Sequence, residues 1–286
     1  MQFLGRFKNG IVTGHFWLGL INNGYIHGKA NEQGLATGKD LAFVYPDGET
    51  ALRGHFANFY MKKARYVKVL KYDCDDYGIP YVLQFTKPLS SEVFFYDPPT
   101  NYSFGGGTKA KRDPYEFKNV FSKVSNVPGS GEGVFSKRSL LEGRPACFYS
   151  LFLYNHVQEK EFNCQCLENT LKSDEYRRHC VKYSLPLVRY RGTIDLPPEF
   201  DNGQMPNLGP KVNHHFTDKN SVYVETEHPT WGLIRGVNPI HDLSSGKELY
   251  TDYGYDQWTN TQSDFPRDFP WYWAARRTYL ENKSSL

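Results

Sequence analysis

Several groups of residues in this chain have types that could do chemistry. Cys164 and Cys166 with His179 and Cys180 offer four metal-binding side chains, but C-x-C…H-C is not a usual zinc spacing, and ordinary thiols are expected. Gly105-Gly106-Gly107-Thr108-Lys109 invites a phosphate-loop reading, yet it lacks the G-x-x-x-x-G-K-[ST] spacing and is expected to be a loop. Three further segments stand in order along the chain. The first is Gly129-Ser130-Gly131-Glu132-Gly133, running on to Lys137. About 80 residues later comes Asn213-His214-His215-Phe216, running on to Tyr223. Some 40 residues beyond that lies Glu248-Leu249-Tyr250-Thr251-Asp252-Tyr253-Gly254-Tyr255. Taken singly, these read as a hairpin turn, a hydrogen-bonded polar pair and a strand end.

The elements that must position these segments are mostly strands. Near the N-terminus, glycine-led units begin at Gly5, Gly28 and Gly54, with starts 23 and 26 residues apart. Asn22-Asn23-Gly24 and Pro46-Asp47-Gly48 precede the second and third units and supply the positive φ of tight hairpin turns. Alternating runs such as Leu41–Tyr45 lie between the turns and predict hairpins that stack to share a core. Short β-runs follow at 66–70, 81–85 and 93–96. The spacing of Trp271, Ala274, Ala275 and Thr278, with Pro270 in the first turn, predicts a C-terminal helix.

Composition narrows the class. Aromatic residues make up 16% of the 286, with 21 Tyr and 20 Phe, which favours β structure. Net charge is only +3 and no long basic block exists, so no direct nucleic-acid binding is expected. No run of 18 apolar residues occurs, so no membrane span is expected. Five cysteines with no leader-like start suggest reduced thiols in the nucleus or cytoplasm.

Together, the three segments resemble the SET domain: the first its G-x-G strand, the second its N-H-S motif, the third its E-L-x-x-x-Y motif. The hairpin units with their Tyr-Pro-Asp-Gly turn resemble MORN repeats. The combination resembles the MORN-repeat SET-domain protein-lysine N-methyltransferase family, along a stretch from about Gly5 to Tyr272. The resemblance implies a mainly β fold, in which a MORN β-hairpin array is followed by a pseudoknotted SET β-fold with a C-terminal helix. The implied boundaries are 1–64 for the hairpin array, 65–118 for a β-rich connector, 119–256 for the SET domain and 257–286 for a C-terminal segment.

The resemblance also implies a reaction. S-adenosyl-L-methionine would be the cofactor, and a lysine in a protein or peptide, histones included, the substrate. A lysine ammonium has a pKa near 10.4, so only roughly one in a thousand is neutral near pH 7.4. An enclosed, tyrosine-lined channel lets a neighbouring positive charge lower that pKa and lets hydroxyls align the amine. By resemblance Tyr253, Tyr149 and Tyr223 are catalytic and Tyr255 walls the substrate channel. Ser130, Glu132, Asn213, His214 and Trp271 hold the cofactor, and no metal is needed. Some positions depart from the pattern: His215 stands for Ser, Pro210 for His, Arg235 for Lys and Ala275 for an acid. These departures support an alternative, a catalytically decayed SET and MORN scaffold that serves protein interaction.

Overall fold

The computed structural model describes residues 2–21, 23–74, 76, 80–98, 112–149, 152–155, 185–187, 192–195, 207–254 and 270–284. The chain divides into two compact units. One comprises Met1–Pro99, Phe104–Tyr115 and Glu225–Ile234; the other comprises Thr100–Ser103, Glu116–Val224 and Arg235–Leu286.

The first unit is built on an antiparallel meander of seven strands in sequence order: β1 (Gln2–Lys8), β2 (Ile11–Gly19), β3 (Tyr25–Lys29), β4 (Gly38–Val44), β5 (Thr50–Ala57), β6 (Tyr60–Cys74) and β7 (Pro80–Phe85). The repeat starts Gly5, Gly28 and Gly54 fall on β1, β3 and β5, so each repeat is one hairpin. The turn between β4 and β5 shows why the sequence folds back there. Gly48 takes φ +72°, and the Asp47 carboxylate accepts the backbone N–H groups of Glu49 and Thr50 at 3.1 and 2.8 Å. Tyr25, Ala42, Val44, Ala51, Val67 and Leu83 form a buried apolar cluster on this sheet.

The strand expected at 93–96 is a single bridge, Phe94 to Ala64. Its N–H groups go to separate acceptors: Phe94 to Ala64, Tyr96 to Met61 and Asp97 to Thr230. No ladder can grow from such scattered pairing.

A buried polar triad also sits in this unit. The Tyr45 hydroxyl donates to the Asp113 carboxylate, and His228 Nε2–H donates to it at 2.9 Å. His228 Nδ1 accepts the Thr230 N–H at 3.1 Å, so the ring is neutral, and burial pushes its pKa down. His27 is similar: 4% exposed, its Nδ1–H donates to the Phe16 carbonyl at 2.9 Å, and burial pushes its pKa down to about 4. The folded state therefore holds His27 neutral where the unfolded chain would protonate it. This stability is present above about pH 6.5 and is lost as pH falls from there towards about 4. About 3 kcal/mol is expected to disappear across that window from His27 alone, with His228 acting in the same direction. Denaturant unfolding at pH 7 and pH 4.5 measures the loss, and a His27→Gln variant should show a flatter pH dependence. An unchanged slope in that variant would remove His27 from the account.

In the second unit, α1 (Pro114–Asn119) leads into the hairpin β8 (Val120–Val124) and β9 (Glu132–Ser136). Then come β10 (Cys147–Tyr149), β11 (Phe152–Asn155), β12 (Leu185–Leu187), β13 (Gly192–Asp195) and β14 (Asn213–His214). The long hairpin β15 (Ser221–His228) and β16 (Gly232–Pro239) follows, its stretch Glu225–Ile234 counted with the first unit, then β17 (Tyr250–Thr251) and α2 (Pro270–Ser284). Small sheets result, in the orders β10-β16-β15 and β11-β13-β12, with the pairs β8-β9 and β14-β17. The β14–β17 pair is parallel, Asn213 opposite Tyr250 and His214 opposite Thr251. A core of Val120, Val134, Cys147, Val212, Val237 and Leu249, each at most 1% exposed, joins the strands that carry the candidate site. At about 1.5–3 kcal/mol for a fully buried aliphatic side chain, this core fixes their spacing more firmly than any single polar contact.

Helix α2 forms where expected, but it buries a different face. Tyr272 is its buried residue, packed on His214 and Phe216 at ring-centroid distances of 5.0 and 5.2 Å, and Tyr279 stacks on Phe216 at 5.3 Å. The large aromatic rings win the interface over the smaller Ala274, Ala275 and Thr278, because they bury more apolar area. Among the described residues no helix is long and apolar enough to cross a membrane.

Candidate active site

The three chemical segments of the sequence meet in the second unit. The turn before β9 is built first. Ser130 donates its hydroxyl to the Val127 carbonyl at 2.9 Å, and the Ser125 N–H bonds the Gly131 carbonyl at 2.9 Å. Gly131 takes φ +80°, with no heavy atom within 4 Å of where a Cβ would stand, so its backbone is open. Ser130 thus shapes the turn with its own side chain.

Glu132 opens β9. Its carboxylate, half exposed, pairs with the Lys211 ammonium, and its carbonyl accepts the Asn213 carboxamide N–H at 3.0 Å. That bond joins the first segment to the second across 81 positions. His214 then joins the second segment to the third: the Tyr253 N–H donates to His214 Nδ1 at 3.1 Å across 39 positions. Nδ1 therefore carries no proton, and the ring is the neutral Nε2–H form. Phe216, Tyr253 and Tyr272 surround the ring at 4.3, 5.4 and 5.0 Å. Tyr253 donates its hydroxyl to the Val212 carbonyl at 2.9 Å. Asp252 beside it is buried enough to raise its carboxyl, but the Gly254 N–H and the Lys219 ammonium outweigh burial and hold it below the ordinary carboxylate range.

The remaining tyrosines stand together on the neighbouring sheet. Tyr149 on β10 is 3% exposed and meets Tyr223 of β15 edge to face, with centroids 5.7 Å apart. Arg235 on β16 lies opposite Tyr149 and reaches the Tyr223 carbonyl at 3.5 Å. Trp271 stands beside Gly129, its Cβ 3.2 Å from the position a Gly129 Cβ would take. Tyr255, the glycine-rich stretch from Gly105, and Cys164, Cys166, His179 and Cys180 lie outside the described residues.

Two buried carboxylates hold this arrangement, and neither was among the sequence candidates. Glu248, 3% exposed, accepts the Ser125 hydroxyl at 2.6 Å, the Asn126 N–H at 2.8 Å and the Tyr250 hydroxyl at 2.8 Å. It ties the loop before the glycine turn to β17. Burial and that hydrogen bond push the Tyr250 phenol up to about 12. Glu116 on α1, also 3% exposed, accepts the Phe148 and Leu208 N–H groups at 2.8 and 2.9 Å. Glu248 had a signal, the first letter of its motif. Glu116 had only the Asp-Pro-Tyr-Glu helix start, in which Asp113 accepts the Tyr115 N–H at 3.0 Å.

His215 also acts differently from its motif neighbour. Its Nδ1 accepts the Asp218 N–H at 2.9 Å, and its ring packs on Tyr250 at 4.8 Å. The ring caps the turn after β14.

As a donor set, the open Gly131 backbone, the Glu132 carboxylate, the Asn213 carboxamide and the Trp271 ring offer acceptors, donors and an aromatic face. Such groups fit a zwitterionic nucleoside with hydroxyls, an ammonium and a flat base.

Comparison with known proteins gives the following. The family model described as "Histone H3 K4-specific methyltransferase SET7 N-terminal" matches residues 7–76. The histone-lysine N-methyltransferase SETD7 of Halocynthia roretzi is 26% identical over 262 residues, which cover 90% of this chain and 62% of that protein. The chain thus spans about three fifths of the relative's length. Among solved structures, ctPRC2 in an autoinhibited conformation bound to S-adenosylmethionine overlaps 58% of this chain and 17% of its own, at 20% identity and TM-score 0.34. The Chaetomium thermophilum Polycomb Repressive Complex 2 bound to GSK126 overlaps 57% and 17%, at 21% identity and TM-score 0.34. At that TM-score neither overlap bears on fold or activity.

Proposed function

We propose that this chain, similar to histone-lysine methyltransferases in its N-terminal domain and along most of its length, is a MORN-repeat SET-domain protein-lysine methyltransferase that transfers a methyl group from S-adenosylmethionine to the ε-amine of a lysine in a protein substrate. The observation that supports this reading is the pair of long-range bonds, Asn213 to the Glu132 carbonyl and Tyr253 N–H to His214. They bring the glycine turn, the Asn-His pair and the tyrosine segment into one place.

The cofactor, when bound, would supply a methyl carbon on a cationic sulfur. Glu132, Asn213, His214 and Trp271 would hold it, with Ser130 setting the turn they share. Tyr149, Tyr223 and Tyr253, with Tyr255 as channel wall, orient the amine and keep water out. Histones are one class of lysine-bearing substrate, as the name of the relative suggests, in the nucleus or the cytoplasm.

Calorimetric titration of the full chain with S-adenosylmethionine tests the reading. Micromolar binding is expected, weakened about tenfold or more by Asn213→Ala, which removes the bond to Glu132 (about 1.4 kcal/mol per decade). No binding to the folded wild-type chain would overturn the enzyme reading. The second reading, a non-catalytic scaffold, would then lead, since His215 is spent on capping a turn.

A further inference from the structure

The seven-stranded sheet presents one face on which three exposed cations, Lys29, Lys63 and Arg65, meet no acidic partner among the described residues. In an antiparallel ladder, directly opposite residues point to the same side. Trp17, His27, Ala42, Arg53 and Arg65 form one such row across β2 to β6. The adjacent row holds His15 opposite Lys29 and His55 opposite Lys63. At about 4.8 Å per strand, the rows run some 19 Å across the sheet. Towards the other strand ends the same face carries Tyr25, Val44, Ala51 and Val67, in the buried apolar cluster. One half of the face is thus closed and apolar, and the margin of the other carries the exposed cations Lys29, Lys63 and Arg65 around the buried His27 and Ala42.

His15, Lys29, His55, Lys63 and Arg65 are exposed. The acid on this half is Asp40, and Arg53 already holds it at 2.6 Å while lying over the Phe85 ring at 4.8 Å. Among the described residues Lys29, Lys63 and Arg65 form no ion pair. Arg53 and Arg65 face each other directly, an arrangement that costs stability in the free sheet. An anion laid across the rows would offset that cost.

We propose that this face binds an acidic peptide segment in extended form, with carboxylates at Arg65, Lys63 and Lys29. Lys63 and Arg65 lie two residues apart on β6, about 7 Å, the repeat of same-side residues in an extended chain. A membrane would need apolar anchors beside the charges, but the apolar half of this face is buried. A single-stranded nucleic acid would need exposed aromatic platforms, and Trp17 is instead partly buried against the core cluster. The proposal does not depend on methyl transfer.

The test uses the full chain and a fluorescent Glu/Asp-rich peptide of about ten residues, followed by anisotropy at about 50 and 300 mM salt. Binding is expected to weaken about tenfold or more in Lys63→Glu/Arg65→Glu and to fall at the higher salt. Lys68→Glu reverses one charge opposite Thr50, on the other face, and is expected to alter affinity by much less than half the effect of the double reversal on a logarithmic scale. Should the double reversal unfold, Lys63→Gln/Arg65→Gln is expected to give a smaller loss of the same sign. The proposal is overturned if Lys68→Glu weakens binding as much as the double variant, if neither double variant weakens it, or if anionic vesicles or single-stranded DNA bind this face more tightly than the peptide.

Discussion

Gly133→Ala is expected to unfold the second unit more easily, by about 3 kcal/mol or more, and to weaken cofactor binding together with it. A Cβ at Gly133 would stand 2.0 Å from Glu248 Oε1, 2.8 Å from its Cδ and 3.2 Å from Asn213 Nδ2. A carboxylate at the end of a free side chain could swing aside at little cost. Glu248 is not free: it is buried and accepts three hydrogen bonds. Moving it breaks those bonds, each worth about 1.5–3 kcal/mol to a charged acceptor. Overpacking alone typically costs about 1–3 kcal/mol, and it acts in the same direction. Gly131→Ala is the control. Its Cβ would meet nothing within 4 Å, so only the strain of φ +80° remains, about 1–2 kcal/mol. Urea unfolding of both variants, followed by a probe in the second unit, measures the difference. Equal midpoints for Gly133→Ala and wild type would show that Glu248 yields after all.

Tyr253→Phe is expected to leave cofactor affinity within about threefold and to cut the methylation rate by about 10²–10³-fold, the usual cost of losing one preorganised hydroxyl at a reacting centre. Phe keeps the ring against His214 and loses only the hydroxyl bonded to the Val212 carbonyl. Were that bond purely structural, the variant would lose about 1 kcal/mol of stability and keep its turnover at saturating substrate. Single-turnover methylation of a lysine-rich histone peptide, beside calorimetry on the same preparation, separates these outcomes. Wild-type turnover in the variant would remove Tyr253 from the reacting site.

What the sequence reveals here depends on how local the physics is. The β4–β5 turn was legible because Asp47 and Gly48 act within three residues of themselves. The repeat starts were legible because each hairpin carries its own turn chemistry. The three chemical segments were legible as short strings, although what joins them is long-range: Asn213 to Glu132 and His214 to Tyr253. The Glu116 bonds lie 32 and 92 positions away, and no periodicity encodes such a pairing. The face of α2 was misread because helical spacing alone weighs Ala274 equally with Tyr272, whereas packing rewards the larger ring. The segment 93–96 has the composition of a strand, but the Phe94 and Tyr96 N–H groups go to Ala64 and Met61, and the next, of Asp97, leaves that strand for Thr230.

The Glu116 carboxylate has a consequence for how such a protein can diversify. It grips the chain at Phe148, as β10 begins to deliver Tyr149, and again at Leu208, just before the Asn213 pair. The chain leaves and re-enters this frame of contacts at two points sewn to one anchor. A change of length between those stitches is expected to leave the tyrosine strand on one side and the Asn-His strand on the other in place, because both hang from the same carboxylate.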